Sequence, residues 1–371
     1  MKKITKDTSL LSYNTFGMDV KAALFAEYDT LDDLKNILNI PEVIALMQAE
    51  KAKGHLPFWH IGSGSNLLFT GDYPGVVLHC TAKGIRIANS DNGAPLDYLG
   101  DNMDCYLEIE AGTLWDDVCS YCAEHELYGP ENLSLIPGEM GTAAVQNIGA
   151  YGVEISDLIE FVVCWDVELN KQHIFRGKEM GYGYRESRLK HAADKSRYIV
   201  TSVLLRVQHK RKLHLEYAGI KNALGIGNIS EEMLAESSKP TLQEVRDAVI
   251  RIREGKLPDP KKIGNAGSFF KNPVVDNSVF NPLFAQYPNM PHYIVDPDHT
   301  KIPAGWMIEQ CGWKGKSLGK AGVYEKQSLV LVNRGGATPD EIVKLCQTII
   351  EDVEKKFGIR IEPEVNLIEC N

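Results

Sequence analysis

A glycine-rich turn is the first group of residues whose types and spacing could perform chemistry. Gly62–Asn66 reads Gly-Ser-Gly-Ser-Asn and lies between two apolar, strand-like segments within Phe58–Phe69. Successive backbone N–H groups in such a turn can form a concave anion site, which would suit a phosphate or a pyrophosphate. The dinucleotide-binding fingerprint is incomplete because Leu67 stands where it requires a third glycine. A simple hairpin turn explains the glycines equally well.

A second run, Ile136–Gly152, has small residues at nearly every other position, so its backbone could approach a flat ligand closely. Gly141 and Thr142 begin a predicted short helix whose free N–H groups could bind phosphate. Gln146 and Asn147 offer amides to ring heteroatoms. Close packing of a helix on a sheet would explain the glycines but not these two amides.

A third run, Lys256–Pro273, combines cations, tight-turn glycines and one hydroxyl, that of Ser268, which precedes two phenylalanines. Taken alone, this run indicates a structural serine in a turn. Two shorter runs, Tyr182–Ser187 and Glu362–Val365, are unspecific, and a surface salt bridge and a solvated strand end would account for them.

Helices and strands must position these runs. A threonine that can cap a helix, followed by a carboxylate three residues on, predicts helices that begin at Thr30, Thr113, Thr241 and Thr338. The helix from Thr241 ends near Gly255. It presents Arg253 and Lys256 close to its C-terminus. The helix from Thr338 ends at Gly358, and a strand-like segment follows it.

Short β-branched or apolar runs bounded by turn residues predict strands, and together with the helices they indicate an α+β protein. The predicted strands are Gly75–His79, Tyr106–Glu110, Leu158–Trp165, Tyr198–Gln208, Ser328–Val332 and Ile359–Ile368. Two polar stretches, 89–104 and 224–239, are typical of surface insertions or linkers, and the second predicts a domain boundary.

Composition excludes several classes of protein. The 371 residues carry 40 Lys+Arg against 50 Asp+Glu, a formal charge of -10, which argues against nucleic acid or an anionic membrane as the main partner. The N-terminus shows no signal-peptide pattern and no segment is apolar enough to span a membrane, so we expect a cytoplasmic protein. No His spacing indicates a metal site, and Cys119 and Cys122 fit buried helix thiols better than zinc ligands.

Taken together and in this order, the runs resemble one family, UDP-N-acetylenolpyruvoylglucosamine reductase, over nearly the whole chain. The resemblance implies FAD bound by two lobes of the vanillyl-alcohol-oxidase/PCMH flavin fold, residues 1–80 and 81–222, with a C-terminal α+β substrate-binding domain at 223–371. It also implies NADPH as hydride donor, a nucleotide-sugar substrate and a monomer. Tyr217 resembles the loop tyrosine that marks the longer subclass of the family.

The resemblance also implies roles for individual residues. Ser268 would deliver a proton to carbon, while Arg185 and Glu364 would stabilise the negative charge that develops on the substrate. Tyr217 and Lys256 would contact the substrate diphosphate, and Asn272 would donate a nearby hydrogen bond. The implied cofactor-binding residues are Gly62, Ser63, Gly64, Ser65, Asn66, Pro137, Gly138, Gly141, Thr142, Gln146, Asn147, Gly149, Ala150, Gly152 and Arg253.

Two alternatives remain at the level of the sequence. Another flavin oxidase or dehydrogenase of the same fold would leave the motifs around Ser268 and Glu364 unexplained, and the turn at Gly62–Asn66 contains no His for covalent flavin attachment. A flavin or nucleotide-sugar binding module without turnover would be consistent with the glycine-rich turns alone. Ser63 departs from the family pattern, in which an acidic residue or Gly is common.

Overall fold

The computed structural model describes residues 4–88, 104–227, 233 and 238–370. The chain forms two compact units. The first comprises Met1–Thr8, Ala22–Ser63 and Gly75–Gly255, and the second comprises Ser9–Lys21, Gly64–Pro74 and Lys256–Asn371. Most of the two predicted insertions lies outside the described residues.

Strands make up the sheets of both units. In chain order they are β1 (Ile4–Ser9), β2 (Lys21–Tyr28), β3 (Phe58–Ile61), β4 (Leu67–Phe69), β5 (Tyr73–Cys80), β6 (Ile85–Ile87), β7 (Asp104–Glu110), β8 (Gly149–Ala150), β9 (Val153–Glu154), β10 (Ile159–Asp166), β11 (Lys171–Arg176), β12 (Tyr198–Gln208), β13 (Gly264–Ser268), β14 (Val274–Asp276), β15 (Tyr293–Ile294), β16 (His299–Lys301), β17 (Ser317–Leu318), β18 (Ala321–Val323), β19 (Val330–Asn333) and β20 (Asn366–Ile368).

Helices alternate with these strands. They are α1 (Leu31–Leu38), α2 (Pro41–Ala52), α3 (Trp115–Glu124), α4 (Met140–Gln146), α5 (Ala192–Lys195), α6 (Ala218–Ala223), α7 (Leu242–Lys256), α8 (Asn277–Gln286), α9 (Ala304–Gln310) and α10 (Pro339–Phe357). None of the helices in the described ranges combines the length and the apolar character that a bilayer span requires.

The first unit contains a four-stranded sheet of order β1-β2-β5-β3 and a five-stranded sheet of order β11-β10-β12-β7-β6. One apolar core joins them, with Leu107, Val162 and Val203 fully buried on the larger sheet and Trp115 fully buried on α3. Cys119 and Cys122 are buried on α3, which confirms that they are helix thiols.

The second unit contains an antiparallel sheet of order β13-β19-β18-β17 and a smaller one of order β14-β16-β15, while β4 pairs with β20 in parallel. Helix α10 contacts β18, β19 and α9, and its buried face includes Ile342, Leu345, Ile349 and Val353. The mixture of helices and largely antiparallel sheets confirms the α+β prediction.

Most predicted elements are present, with two corrections. Helix α3 begins at Trp115 and Leu114 precedes it, so Thr113 is not its cap; the Thr113 hydroxyl instead accepts a hydrogen bond from the N–H of Gly84 at 3.0 Å. The strand predicted over Ile359–Ile368 is shortened to β20. Residues 242–255 of helix α7 lie in the first unit, and the predicted domain boundary near residue 223 stays a prediction. The separate lobes 1–80 and 81–222 stay a prediction.

Candidate active site

In the first unit, the start of the glycine-rich turn contacts the start of α4. A Cβ atom on Gly62 would lie 2.9 Å from the Thr142 methyl carbon and 3.0 Å from Glu139 Oε2, so only glycine fits this approach. Ser63 donates a hydrogen bond to Glu139 Oε1 at 3.2 Å. Gly62, Ser63 and Thr142, three predicted cofactor-binding residues, therefore lie together.

The backbone amides at the start of α4 already have acceptors within the protein. The N–H of Met140 donates to the carbonyl of Thr113 at 2.8 Å, and that of Gly141 donates to Ala111 at 2.9 Å. Glu139 and Thr142 form a reciprocal capping box. The prediction that the N–H groups of Gly141 and Thr142 are free is therefore wrong. A cofactor would have to contact these two residues through other atoms.

Asn147 is fully buried with a positive φ of 46°, and its side chain holds the surrounding loops. Its Nδ2 donates to Glu154 Oε2 and to the Gly183 carbonyl, both at 2.8 Å. Its Oδ1 accepts from the N–H of Ser156 at 3.2 Å. Both N–H groups of this amide are therefore used inside the protein, and its predicted contact with a flat ligand stays a prediction.

Arg185 lies beside the small-residue loop of the first unit. Its Nη2 donates to the carbonyl of Gly149 at 2.6 Å, and its Nη1 lies 3.5 Å from the carbonyl of Asn147. A Cβ atom on Gly149 would lie 2.9 Å from that Nη1, so glycine is needed for the guanidinium to approach. Arg185 itself has a φ of 54°, a conformation that costs a non-glycine residue free energy and is found most often at functional sites.

Arg253 is held by the same loop system. Its Nε donates to the carbonyl of Leu135 at 3.2 Å and its guanidinium is hydrogen-bonded to Tyr151. Burial lowers the pKa of Arg253, although the Tyr151 hydroxyl partly opposes this. The ring of Tyr151 packs edge-on against Tyr217, with 5.1 Å between their centroids, and Tyr217 is 40% exposed. Arg253 and Tyr217 therefore both contact Tyr151, a residue that the sequence did not single out.

A buried ion pair fixes the helix that carries Arg253. Arg246, also on α7, donates to both carboxylate oxygens of Asp116 on α3, at 2.8 and 2.9 Å. The N–H of Leu135 donates to the same carboxylate at 2.6 Å. Because Leu135 also accepts from Arg253, the carboxylate of Asp116 orients both the helix and the loop.

Ser268 closes strand β13 in the second unit. It pairs with Val330 after an irregularity in the ladder, and the preceding Gly267 has a φ of 70° with open space where a Cβ would stand. The side chain of Asn265 fixes this bend by accepting from the N–H of Gly267 at 3.0 Å. Among the described residues the Ser268 hydroxyl makes no hydrogen bond, unlike a serine that stabilises a turn.

Backbone hydrogen bonds bring Glu364 and Asn66 to the same part of the second unit. The N–H of Glu364 donates to the carbonyl of Phe269, next to Ser268, at 2.7 Å. The carbonyl of Asn66 accepts from Asn366 Nδ2 at 3.0 Å and from its N–H at 3.1 Å. The unit thus joins two predicted catalytic residues and a predicted cofactor-binding residue.

The remaining predicted residues are placed as follows. Asn272 accepts from the N–H of Ala304 at 2.9 Å, at the start of α9, and Lys256 is exposed at the end of α7. Gln146 and Ala150 are partly buried, Pro137 and Gly152 are exposed, and Gly64 and Ser65 follow Ser63 in the second unit. Gly138 accepts from the N–H of Trp115 at 3.0 Å.

Comparison with known proteins agrees with this arrangement. Residues 259–368 match the UDP-N-acetylenolpyruvoylglucosamine reductase C-terminal domain, and residues 38–171 match an FAD binding domain. The reductase of that name from Bacteroides fragilis is 46% identical over 97% of this chain and 98% of its own length. The one from Porphyromonas gingivalis is 41% identical over 98% of this chain and 99% of its own.

The chain belongs to the UDP-N-acetylenolpyruvoylglucosamine reductase family. The crystal structure of the Thermus caldophilus reductase shows the same fold, with a TM-score of 0.63 at 21% identity, over 99% of this chain and 100% of that one. The family resemblance inferred from the motifs is confirmed. The protein is an FAD-dependent oxidoreductase, and the family uses FAD and NADPH.

A buried polar atom beside the small-residue loop lacks a hydrogen-bond partner among the described residues. Asn132 donates through Nδ2 to the carbonyls of Tyr151 at 3.0 Å and His214 at 2.8 Å, while its Oδ1 accepts no hydrogen bond there. Protein atoms cover this oxygen, so it is not assigned to a cofactor. The fit to FAD rests instead on the turn at Gly62, where a Cβ would fill the space beside Thr142 and Glu139.

Across residues 4–88, 104–227, 233 and 238–370, no three His, Cys, Asp or Glu side chains come together as ligands for a metal ion.

Proposed function

We propose that this protein reduces UDP-N-acetylglucosamine enolpyruvate to UDP-N-acetylmuramate, with NADPH as reductant and FAD as the hydride carrier, in the synthesis of peptidoglycan precursors. Family membership supports the reaction. The observation that carries the residue assignment is the Ser268 hydroxyl, which has no hydrogen-bond partner among the described residues and is held by a fixed backbone beside the segment of Glu364.

Ser268 would transfer its proton to the substrate carbon that becomes a carbanion when hydride adds to the enol ether. A serine hydroxyl is a weak acid, so this step requires that neighbouring groups stabilise the alkoxide it leaves. The peptide geometry at Gly267 and Phe269 fixes where the hydroxyl lies, which is the contribution that this chain makes to proton transfer.

Arg185 and Glu364 would stabilise the charge on the substrate. A guanidinium can bind a planar carboxylate through two parallel hydrogen bonds, and Arg185 is already oriented by the carbonyl of Gly149. Glu364 in its protonated form would donate to the developing enol oxygen. Tyr217 and Lys256 would bind the substrate diphosphate.

FAD, when bound, supplies the hydride that reaches the substrate. Gly62, Ser63, Asn66 and the loop Gly149–Gly152 would hold it, with Arg253 as a nearby cation. We further propose that the protein acts as a monomer in the cytoplasm, and light scattering of the purified protein would measure its mass in solution.

Replacing Ser268 with Ala separates the two half-reactions. NADPH should still bleach the flavin of Ser268→Ala at the rate of the unmodified protein, because that step needs no substrate proton. Turnover of the enolpyruvyl substrate should fall by about 10²–10⁴-fold, the usual contribution of a positioned proton donor. Stopped-flow absorbance of the flavin and steady-state NADPH oxidation measure the two quantities.

Ser278→Ala is the matched control, since Ser278 is an exposed serine of α8 in the same unit. It should leave both rates unchanged. Turnover of Ser268→Ala close to that of the control would remove Ser268 from the mechanism, and a protein that binds FAD but never oxidises NADPH with this substrate would contradict the proposed reaction.

A further inference from the structure

Four polar side chains form a continuous path to the glycine-rich turn inside the first unit. Glu27 Oε1 lies 3.0 Å from His79 Nδ1, and Glu139 Oε1 lies 3.2 Å from His79 Nε2. Ser63 then donates to the same Glu139 oxygen at 3.2 Å. The side chains become more buried along this path, from 35% exposed at Glu27 to 13% at His79 and 9% at Glu139.

The geometry indicates that His79 is positively charged. A neutral imidazole has one N–H donor and one acceptor, whereas a carboxylate oxygen only accepts. Both ring nitrogens of His79 face carboxylate oxygens within hydrogen-bond distance. With both carboxylates ionised, both contacts are favourable only when each nitrogen carries a proton.

Among the residues that the structure describes, the titratable groups named below on β2, β3, β5 and β7 supply no second positive charge near His79. On β3, the ring of His60 lies 2.8 Å from the Tyr28 hydroxyl, and burial together with repulsion from His79 lowers the pKa of His60 to about 3. Burial raises the pKa of the Tyr28 hydroxyl on β2 and of the Cys80 thiol on β5, so both are neutral. Glu110 on β7 adds negative charge near Cys80.

Glu139 links this charge to the turn. It immediately precedes α4 and shares the capping box with Thr142. Its second oxygen, Oε2, lies 3.0 Å from the position that a Cβ on Gly62 would take, so the carboxylate occupies the space beside Gly62 that a side chain would fill. A rotation of the Glu139 side chain would therefore remove the acceptor of Ser63 and change the surroundings of Gly62.

We propose that His79 is a positioning residue for the flavin: its positive charge holds the Glu139 carboxylate against Gly62 and Ser63, and FAD affinity falls when that charge is lost. This inference rests on the proposed role of the turn in binding FAD.

The loss occurs on the alkaline side. Burial alone would lower the pKa of His79, but the hydrogen bonds and charges of Glu139 and Glu27 outweigh it and raise the pKa above its ordinary value of 6.5. The positioning effect is therefore complete below 6.5 and disappears as the pH rises through the raised pKa. Once His79 is neutral, the charge of Glu139 is no longer offset, and it repels the anionic diphosphate of FAD.

The test is FAD retention by the holoprotein as a function of pH. Equilibrium dialysis of the unmodified holoprotein should show the FAD dissociation constant rising about tenfold between about pH 6 and about pH 9, as one lost charge interaction implies. His79→Gln should bind FAD weakly across the whole range without this slope. Adding Glu139→Gln to that variant should restore affinity, because it removes the uncompensated charge.

Glu27→Gln provides a second test that does not depend on the folding of the His79 variant. Glu27 is partly exposed, and its removal takes away one of the two carboxylates that stabilise the His79 cation. The pH midpoint of FAD release should shift to lower pH. His55→Gln is the matched control, because His55 bonds the buried Glu50 at 2.9 Å in the same unit but makes no contact with the path.

Gly62→Ala separates the inference from the proposal on which it rests. Loss of FAD in Gly62→Ala together with an unchanged pH slope in His79→Gln would overturn the role of His79 alone. Full FAD retention in Gly62→Ala would remove the turn from the flavin site, and the inference with it. If Glu27→Gln and the unmodified protein release FAD with the same pH midpoint, the role of His79 is also overturned.

Discussion

The two units position their site residues by different interactions. In the first unit, charged side chains pair with one another, as Asp116 does with Arg246 and His79 does with two carboxylates. Backbone carbonyls complete the support there by accepting from Arg185 and Arg253. In the second unit, backbone bonds do most of the positioning, as between the N–H of Glu364 and the carbonyl next to Ser268. A side chain that is positioned by its backbone keeps its own hydrogen-bonding capacity for a substrate.

This difference predicts two kinds of sensitivity. The second unit should respond to steric change in its backbone and little to pH, because neutral peptide groups set its geometry. The first unit should respond to the removal of single charges, since a buried charge left without its partner costs free energy. Substitutions in each unit can therefore be chosen to break one kind of support while leaving the other intact.

The largest effect should come from Gly264→Ala in the second unit. A Cβ at Gly264 would lie 2.2 Å from the carbonyl oxygen of Phe16, so β13 or the segment of Phe16 must move. We expect a loss of about 3 kcal/mol in the free energy of unfolding, the upper part of the range for overpacking. Turnover should fall as well, because β13 ends at Ser268. Urea denaturation followed by circular dichroism measures the stability.

Gly255→Ala is the control for this prediction. No atom lies within 4 Å of a Cβ at Gly255, which is in the last turn of α7. Alanine there should raise stability by about 0.5 kcal/mol, because glycine is a poor helix former. Equal stability of the two variants would show that the backbone of the second unit tolerates displacement, contrary to the comparison.

Local sequence patterns predicted the elements that local chemistry determines. The capping box at Thr241 is present, with the Glu244 N–H donating to the Thr241 hydroxyl at 3.2 Å, and α7 begins at the next residue. Thr113 has a similar sequence context, yet its hydroxyl bonds Gly84, which is 29 positions away. A distant backbone partner competed for that hydroxyl, and no window of local sequence contains it.

The motifs of the site could be predicted from the sequence, but the contacts between its residues could not. Asn147 has the amide that a ligand would need, but three partners inside the protein use it, and one of them lies 36 residues away. His79 and Glu139 lie 60 positions apart, so their pairing has no signal in a single sequence. Glu139 stands directly before the small-residue helix α4, a position that by itself names no partner.

A smaller effect is expected from Asp116→Asn in the first unit. It leaves Arg246 buried without a counter-charge, which should lower the free energy of unfolding by about 2 kcal/mol near neutral pH. The expected loss in the free energy of unfolding is smaller than for a fully buried ion pair, because the Asp116 side chain is 33% exposed. Thermal or urea denaturation of the two proteins measures the difference.

The pH dependence of that difference has a definite sign. Burial alone would raise the pKa of Asp116. The hydrogen bonds from Arg246 and from the Leu135 N–H lower it by more than burial raises it, so the pKa lies below its ordinary value of 3.8. The stabilisation is present above 3.8 and is lost as the pH falls through the lowered pKa, so the two proteins should converge in acid. Asp117→Asn, an exposed neighbour on the same helix, should change stability by less than about 0.5 kcal/mol. A constant difference down to strong acid would contradict the assignment of the effect to this carboxylate.

The smallest effect on stability should come from Gly149→Ala, which applies a steric change to the first unit. A Cβ at Gly149 would lie 2.9 Å from Arg185 Nη1 and 3.1 Å from the carbonyl oxygen of Val153. The flexible guanidinium can move away, and the backbone has to shift by only a few tenths of an ångström. Stability should change little, while displacement of the guanidinium should lower kcat/KM for the enolpyruvyl substrate about tenfold. In Gly183→Ala the new Cβ would meet Glu186 at 3.7 Å, an ordinary contact, so that variant is the control and should retain kcat/KM. A stability loss in Gly149→Ala as large as in Gly264→Ala would mean that backbone sterics govern both units, and the contrast between them would fail.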